Sequence, residues 1–143
     1  MFKRNFLTIL GIVGAAGAGF HMGRTTTANA ATSGHVFELR TYTAEPGKLE
    51  ALHARFRDHT VGVFNKHGMT SVGYFAPTDE PLSKNTLIYV LEFPSREAAK
   101  KSWDEFRSDP EWQKVQKESE ANGKLVTKVD SVFMDPTDYS PLK

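Results

Sequence analysis

The chain has 143 residues, and its 18 Lys and Arg against 17 Asp and Glu leave a formal net charge of +1, which suits one ordinary domain. Lys3, Arg4 and Arg24 fall in the first thirty residues, which hold no acid, so the remainder carries 15 bases against 17 acids and a net −2. This argues against nucleic-acid binding through net positive charge, and the absence of cysteine excludes disulfides, thiolate metal sites and a cysteine nucleophile.

Residues 1–30 read as an export signal. Met1-Phe2-Lys3-Arg4 precedes an uncharged run from Asn5 to Phe20, and Ala28-Asn29-Ala30 has the small-x-small form of a cleavage site. Lys3-Arg4-Asn5-Phe6-Leu7 is similar to the twin-arginine consensus with Lys for the first Arg, and the general secretory route fits as well. The competing reading is a retained anchor. The uncharged run and its glycines are short of the roughly 20 apolar residues of a spanning helix, so no membrane span is expected after cleavage. The expected location is periplasmic or extracellular. Residues 31–34 form a linker, and residues 35–143 form the domain.

His35 to Thr43 is β-rich and is expected to be the first strand. Pro46 suits the first turn of a helix in which Leu49, Leu52, Phe56, Val63 and Phe64 mark the apolar stripe. Gly68 ends that helix, and Met69 to Ala76 is the second strand. A turn-rich stretch from Pro77 to Lys84 leads to the strongest strand, Asn85 to Phe93. Ser95 is a cap for a helix carrying Trp103 and Phe106, aromatics at core-like spacing. Asp109-Pro110-Glu111 supplies a cap, a first-turn proline and a first-turn acid for a shorter helix bearing Trp112. Gly123 stops it, Val126 to Met134 is the fourth strand, and Asp135 to Lys143 is a tail.

This order is an α+β, ferredoxin-like βαββαβ arrangement: a four-stranded antiparallel sheet with its helices on one face. Leu87, Tyr89, Leu91 and Phe93 point opposite to Ile88 and Val90, and Val72 and Tyr74 point opposite to Phe75. Helices cover one face only, and a sheet apolar on both sides favours cover on both. A homodimer packed face to face is the expected solution.

Phe37-Glu38-Leu39-Arg40-Thr41-Tyr42-Thr43 followed by Pro46-Gly47-Lys48-Leu49 resembles the opening signature of the NIPSNAP family. His67-Gly68, the Gly73 strand, Asp109-Pro110-Glu111-Trp112 and the closing run from Pro136 to Leu142 follow in the family's order. The resemblance covers nearly all of residues 35–143 and implies a dimeric α/β barrel. It implies no settled reaction.

Glu38, Arg40 and Tyr42 share one face of the first strand, expected on the dimer side, with Phe37 and Leu39 toward the helices. Two readings fit. One is a structural Glu–Arg pair with a bonded tyrosine. The other is a polar patch in which Arg40 docks an anionic or carbonyl-bearing ligand while Tyr42 or Glu38 moves a proton. Tyr74 and Tyr89 are candidate lining residues. His67 is a helix-terminal residue favoured by the dipole, with a pocket role as its alternative. His53 and His59 lack the spacing of a paired metal motif, so no metal site is expected. No nucleotide-binding or serine-hydrolase motif is present, and no cofactor is expected. Three functions compete: a module binding a small, mostly apolar molecule in its barrel, a cofactor-free monooxygenase- or isomerase-like enzyme, and an interaction protein of the cell envelope.

Overall fold

In the computed structural model, which describes residues 34–142, four antiparallel strands lie in the order β2-β3-β1-β4. They are β1 (Val36–Ala44), β2 (Thr70–Phe75), β3 (Thr86–Phe93) and β4 (Val126–Met134). The expected export signal, and the linker up to residue 33, lie outside the described residues. Among the described residues no helix is long and apolar enough to cross a membrane.

The chain leaves β1 through a turn. Lys48 N donates to Glu45 O at 2.9 Å, and Gly47 takes φ +75°, a backbone that glycine adopts without steric cost. Pro46 therefore sits at the second position of a turn, where its fixed φ is favourable, and not in the first helical turn as expected.

The helix that follows has three continuous parts: α1 (Leu49–Arg55), a π-helical segment (Phe56–Thr60) and α2 (Val61–Lys66). The junction residues keep right-handed helical dihedrals throughout. Leu52, Phe56, Thr60, Val63 and Phe64 are buried along it. Arg55 is buried too, because it stands three positions after Leu52 and one before Phe56, on the inward stripe.

Local cap chemistry sets the other helices as expected. Ser95 Oγ accepts from Ala98 N at 3.1 Å and opens α3 (Arg96–Ser108). Asp109 Oδ1 accepts from Glu111 N at 2.7 Å and opens α4 (Pro110–Ser119), with Pro110 where its missing N–H costs nothing.

The core lies between the helices and one sheet face. Leu87, Tyr89, Leu91 and Phe93 are buried there against Leu52, Phe64, Ala99, Trp103 and Phe106. Phe64 meets Trp103 edge-on at 5.5 Å and Phe106 at 5.0 Å. Each large apolar side chain so buried contributes about 1.5–3 kcal/mol.

On the opposite face Phe37 and Val72 stand otherwise than expected. Phe37 is buried, but beside Val72, Phe75, Val90 and Met134, under the C-terminal tail. Pro136, Thr137, Ser140 and Leu142 of that tail frame a groove of about 410 Å³ with them. Val72 stands with Phe75 and not with Tyr74, because the β2–β3 register shifts between Ser71 and Gly73 and the extra residue reverses the alternation. Val72, Phe75, Val132 and Met134 stay exposed on this face.

Candidate functional site

Strand β1 sends Glu38, Arg40 and Tyr42 to the helix-covered side, which corrects the facing expected from the sequence. The register opposes Glu38 to Leu91, Arg40 to Tyr89 and Tyr42 to Leu87, and those β3 residues belong to the core. Cross-strand partners share a face, so the polar trio lies inside with them. Phe37 takes the other side, under the tail.

Burial of the Glu38 carboxylate is made tolerable by three donors. Glu38 is 1% exposed. Its Oε2 accepts from Trp103 Nε1 at 2.6 Å. Its Oε1 accepts from Ser131 Oγ at 2.6 Å and from Arg40 Nη1 at 2.9 Å. The Arg40 guanidinium also lies 4.1 Å from the centroid of the Trp103 ring, a cation–π placement. Burial alone would lower the Arg40 pKa, but Tyr42, Tyr89 and Glu38 around it outweigh that and hold it above its ordinary value. Arg40 Nε has no hydrogen-bond partner among the described residues.

Three tyrosines continue from this cluster. Tyr89, fully buried, donates from its hydroxyl to the Tyr42 hydroxyl at 3.1 Å. Desolvation pushes the Tyr89 phenol well above its usual pKa. Tyr74 stacks on Tyr89 at 5.7 Å and shares a 2.7 Å hydrogen bond with Ser71, and burial raises its pKa too. Tyr42 is the tyrosine that borders the space beside α4. It lines a cavity of about 270 Å³ between β4 and α4, together with Arg55, Trp112, Glu120, Val126 and Val129. Thus Glu38, Arg40, Tyr42, Tyr74 and Tyr89 form one connected group, with Tyr42 at the cavity wall.

His67 stands apart from that group. As the C-cap of α2 it donates from Nε2 to Asp109 Oδ2 at 2.7 Å, and its Nδ1 lies 3.8 Å from Glu105. Lys66 Nζ joins the same Asp109 oxygen at 2.8 Å. Hydrogen bonds from Lys66 and then from His67 hold the Asp109 carboxyl well below the usual carboxylate range. This cluster ties the end of α2 to the α3–α4 corner. Among the described residues no group of three or more His, Cys, Asp or Glu could hold a metal ion.

Arg55, Ser131 and Glu120 were not among the sequence candidates. Arg55 is a charged residue among the apolar positions of its helix, and its spacing from Leu52 puts it on the inward stripe. Ser131 carries no local signal, since its role comes from lying opposite Arg40 across β1 and β4. Trp103 and Trp112 are packed aromatics as expected, and Trp103 also serves Glu38 as a donor.

The sequence model of the NIPSNAP family matches residues 37–141. A NIPSNAP-like domain protein from Burkholderia xenovorans, uncharacterized, superposes with a TM-score of 0.67 at 18% identity, covering 76% of this chain and 90% of its own. A NIPSNAP family protein from Agrobacterium tumefaciens superposes with a TM-score of 0.67 at 22% identity, covering 76% and 99%. SnoaB, a cofactor-independent oxygenase from Streptomyces nogalater, superposes with a TM-score of 0.51 at 12% identity, covering 75% and 97%. At these identities the superpositions show a common fold alone. No curated protein matches the chain.

Proposed function

The chain belongs to the NIPSNAP family, and on that premise we propose that it binds a small, mostly apolar molecule in the crevice between β4 and α4. The observation that carries this is the position of Tyr42. Its hydroxyl accepts from Tyr89, so its own hydrogen remains for an acceptor on a ligand. Its ring forms an apolar wall of the cavity with Trp112, Val126 and Val129, while Arg55, Glu120, Lys124 and Lys128 bring charge to the same space, so an apolar body and a polar group can both be held. Arg40, 5.7 Å from the Tyr42 ring centroid, adds positive charge behind it. Proton transfer by Glu38 has less support, because three donors and no acceptor converge on its carboxylate among the described residues.

The test is thermal. Ligand at about one hundred times its Kd stabilises the folded state by about 2.7 kcal/mol, which is about 10 °C in Tm for a domain of this size. Fractions of an organic extract of the host should raise the Tm of the natural chain and not that of Val129→Trp, which fills the crevice. Equal shifts in both proteins contradict the site.

Two further parts of the proposal concern setting. The exposed apolar residues Val72, Phe75, Val132 and Met134 support pairing of two copies through the tail-bearing face. The sequence pattern of residues 1–30 supports work outside the cytoplasm, and the mass of the mature protein isolated from its host tests it.

A further inference from the structure

Resting on the crevice reading above, we infer that the bound molecule is an organic monocarboxylate with an apolar body, and that Arg55 receives its carboxylate. Arg55 is 5% exposed, which is rare for arginine unless it is paired. One nitrogen, Nη1, donates to the Glu120 carboxylate at 3.0 Å and to Ser119 Oγ at 3.5 Å. Its Nε is buried with no hydrogen-bond partner among the described residues. The guanidinium lies 5.3 Å from the centroid of the Trp112 ring. Arg55, Trp112 and Glu120 line one and the same cavity, so the under-satisfied cation sits in the wall of the space a ligand would fill.

The two members of the ion pair differ in freedom. The side chain of Arg55 is 4% exposed and that of Glu120 is 24% exposed. Glu120 follows the last residue of α4 as its C-cap, so it can turn to water while Arg55 stays. A ligand carboxylate taking its place exchanges one anion for another. The buried guanidinium keeps its counter-charge, and a two-oxygen acceptor suits its planar fork. A neutral ligand offers no such exchange and leaves the Glu120 pair as it is. Lys124 and Lys128 stand at the same cavity and favour approach of an anion. Tyr42, Trp112, Val126 and Val129 receive the apolar body.

A purely structural Arg55, tying α1 to α4, makes a different prediction. Under that role Glu120→Gln only destabilises. Under displacement by ligand, Glu120→Gln removes the competitor and tightens carboxylate binding.

The experiment titrates the full chain, observed by amide and indole NMR, with benzoate and hexanoate and with benzyl alcohol and 1-hexanol as neutral counterparts. The carboxylates should shift the signals of Tyr42, Trp112 and Val129, and the alcohols should bind about tenfold or more weaker, the worth of one hydrogen bond to a charged group. Arg55→Lys should weaken the carboxylates alone, and Glu120→Gln should bind them more tightly than the natural chain. Equal affinity for acid and alcohol, with Glu120→Gln indifferent, overturns the inference and leaves the crevice reading standing. Absence of shifts at Tyr42, Trp112 and Val129 with every probe overturns both. Should Arg55→Lys fail to fold, Glu120→Gln and the acid–alcohol comparison decide the matter.

Discussion

Trp103 and Glu38, 65 positions apart, are joined by a 2.6 Å hydrogen bond from the indole Nε1 to Oε2. The bond fastens α3 to β1 and places a carboxylate in the core. Trp103→Phe keeps most of the ring volume and removes the donor, so it should cost about 1–3 kcal/mol of stability in urea unfolding. A loss below a few tenths would show that the bond holds little.

The Glu38–Arg40 pair behaves as a unit. Glu38→Gln leaves the Arg40 charge without its partner in a mostly buried place. A fully buried pair broken this way costs about 3–5 kcal/mol, and the partial exposure of Arg40 places the expected loss toward or below the lower end. The double variant Glu38→Gln, Arg40→Met should recover part of that loss, because no unpaired charge remains. Additive losses in the double-mutant cycle would contradict the pairing.

Asp109 contributes to the acid dependence of stability. Its folded pKa is depressed from 3.8 by Lys66 and His67, so the stabilisation is present above the unfolded pKa and is lost as pH falls toward the folded one. Asp109→Asn retains a competent helix cap. It should therefore be less stable than the natural chain near neutral pH, with the difference closing below about pH 4. A difference independent of pH would remove the charge from the explanation.

Tyr89, with Tyr74, contributes to the alkaline dependence of stability. Its folded pKa is raised above 10.0 by burial, so stability is intact below the unfolded value and declines as pH rises past it. Tyr89→Phe loses that dependence, and its stability should fall less steeply above about pH 10. Ultraviolet titration should lose one late-ionising phenol in the same variant.

Phe75 tests the exposed sheet face. The residue is 56% exposed, and its ring lies over Gly73, where an added Cβ would come within 2.8 Å of it. Phe75→Asp removes little from the core of one copy and places charge on the face proposed to pair. Sedimentation should report dimers for the natural chain and monomers for the variant, both folded by circular dichroism. Dimers in both would move the pairing surface elsewhere.

Element order was legible because its signals are local. Ser95 and Asp109 cap helices by hydrogen bonds to residues within three positions, and β3 alternates with little ambiguity. Facing was not legible in the same way. An alternating strand such as β1 reads identically from either side, and the charges of Glu38 and Arg40 suggest the wrong one. Their inward position depends on Trp103 and Ser131, which are distant in sequence. The bulge that turns Val72 toward Phe75 arises from pairing with β3, and the tail over Phe37 has no periodic pattern. Of the candidate site, Tyr42, Arg40 and Glu38 were readable as a group from β1. Arg55 was hidden by its charge, which outweighed its position on the apolar stripe.

Native mass spectrometry of the chain isolated gently from its host, beside Val129→Trp prepared identically, tests the crevice most directly. The account predicts a defined small-molecule mass on the natural protein and none on the variant. The same mass retained by both, or a natural protein that carries none, would contradict it.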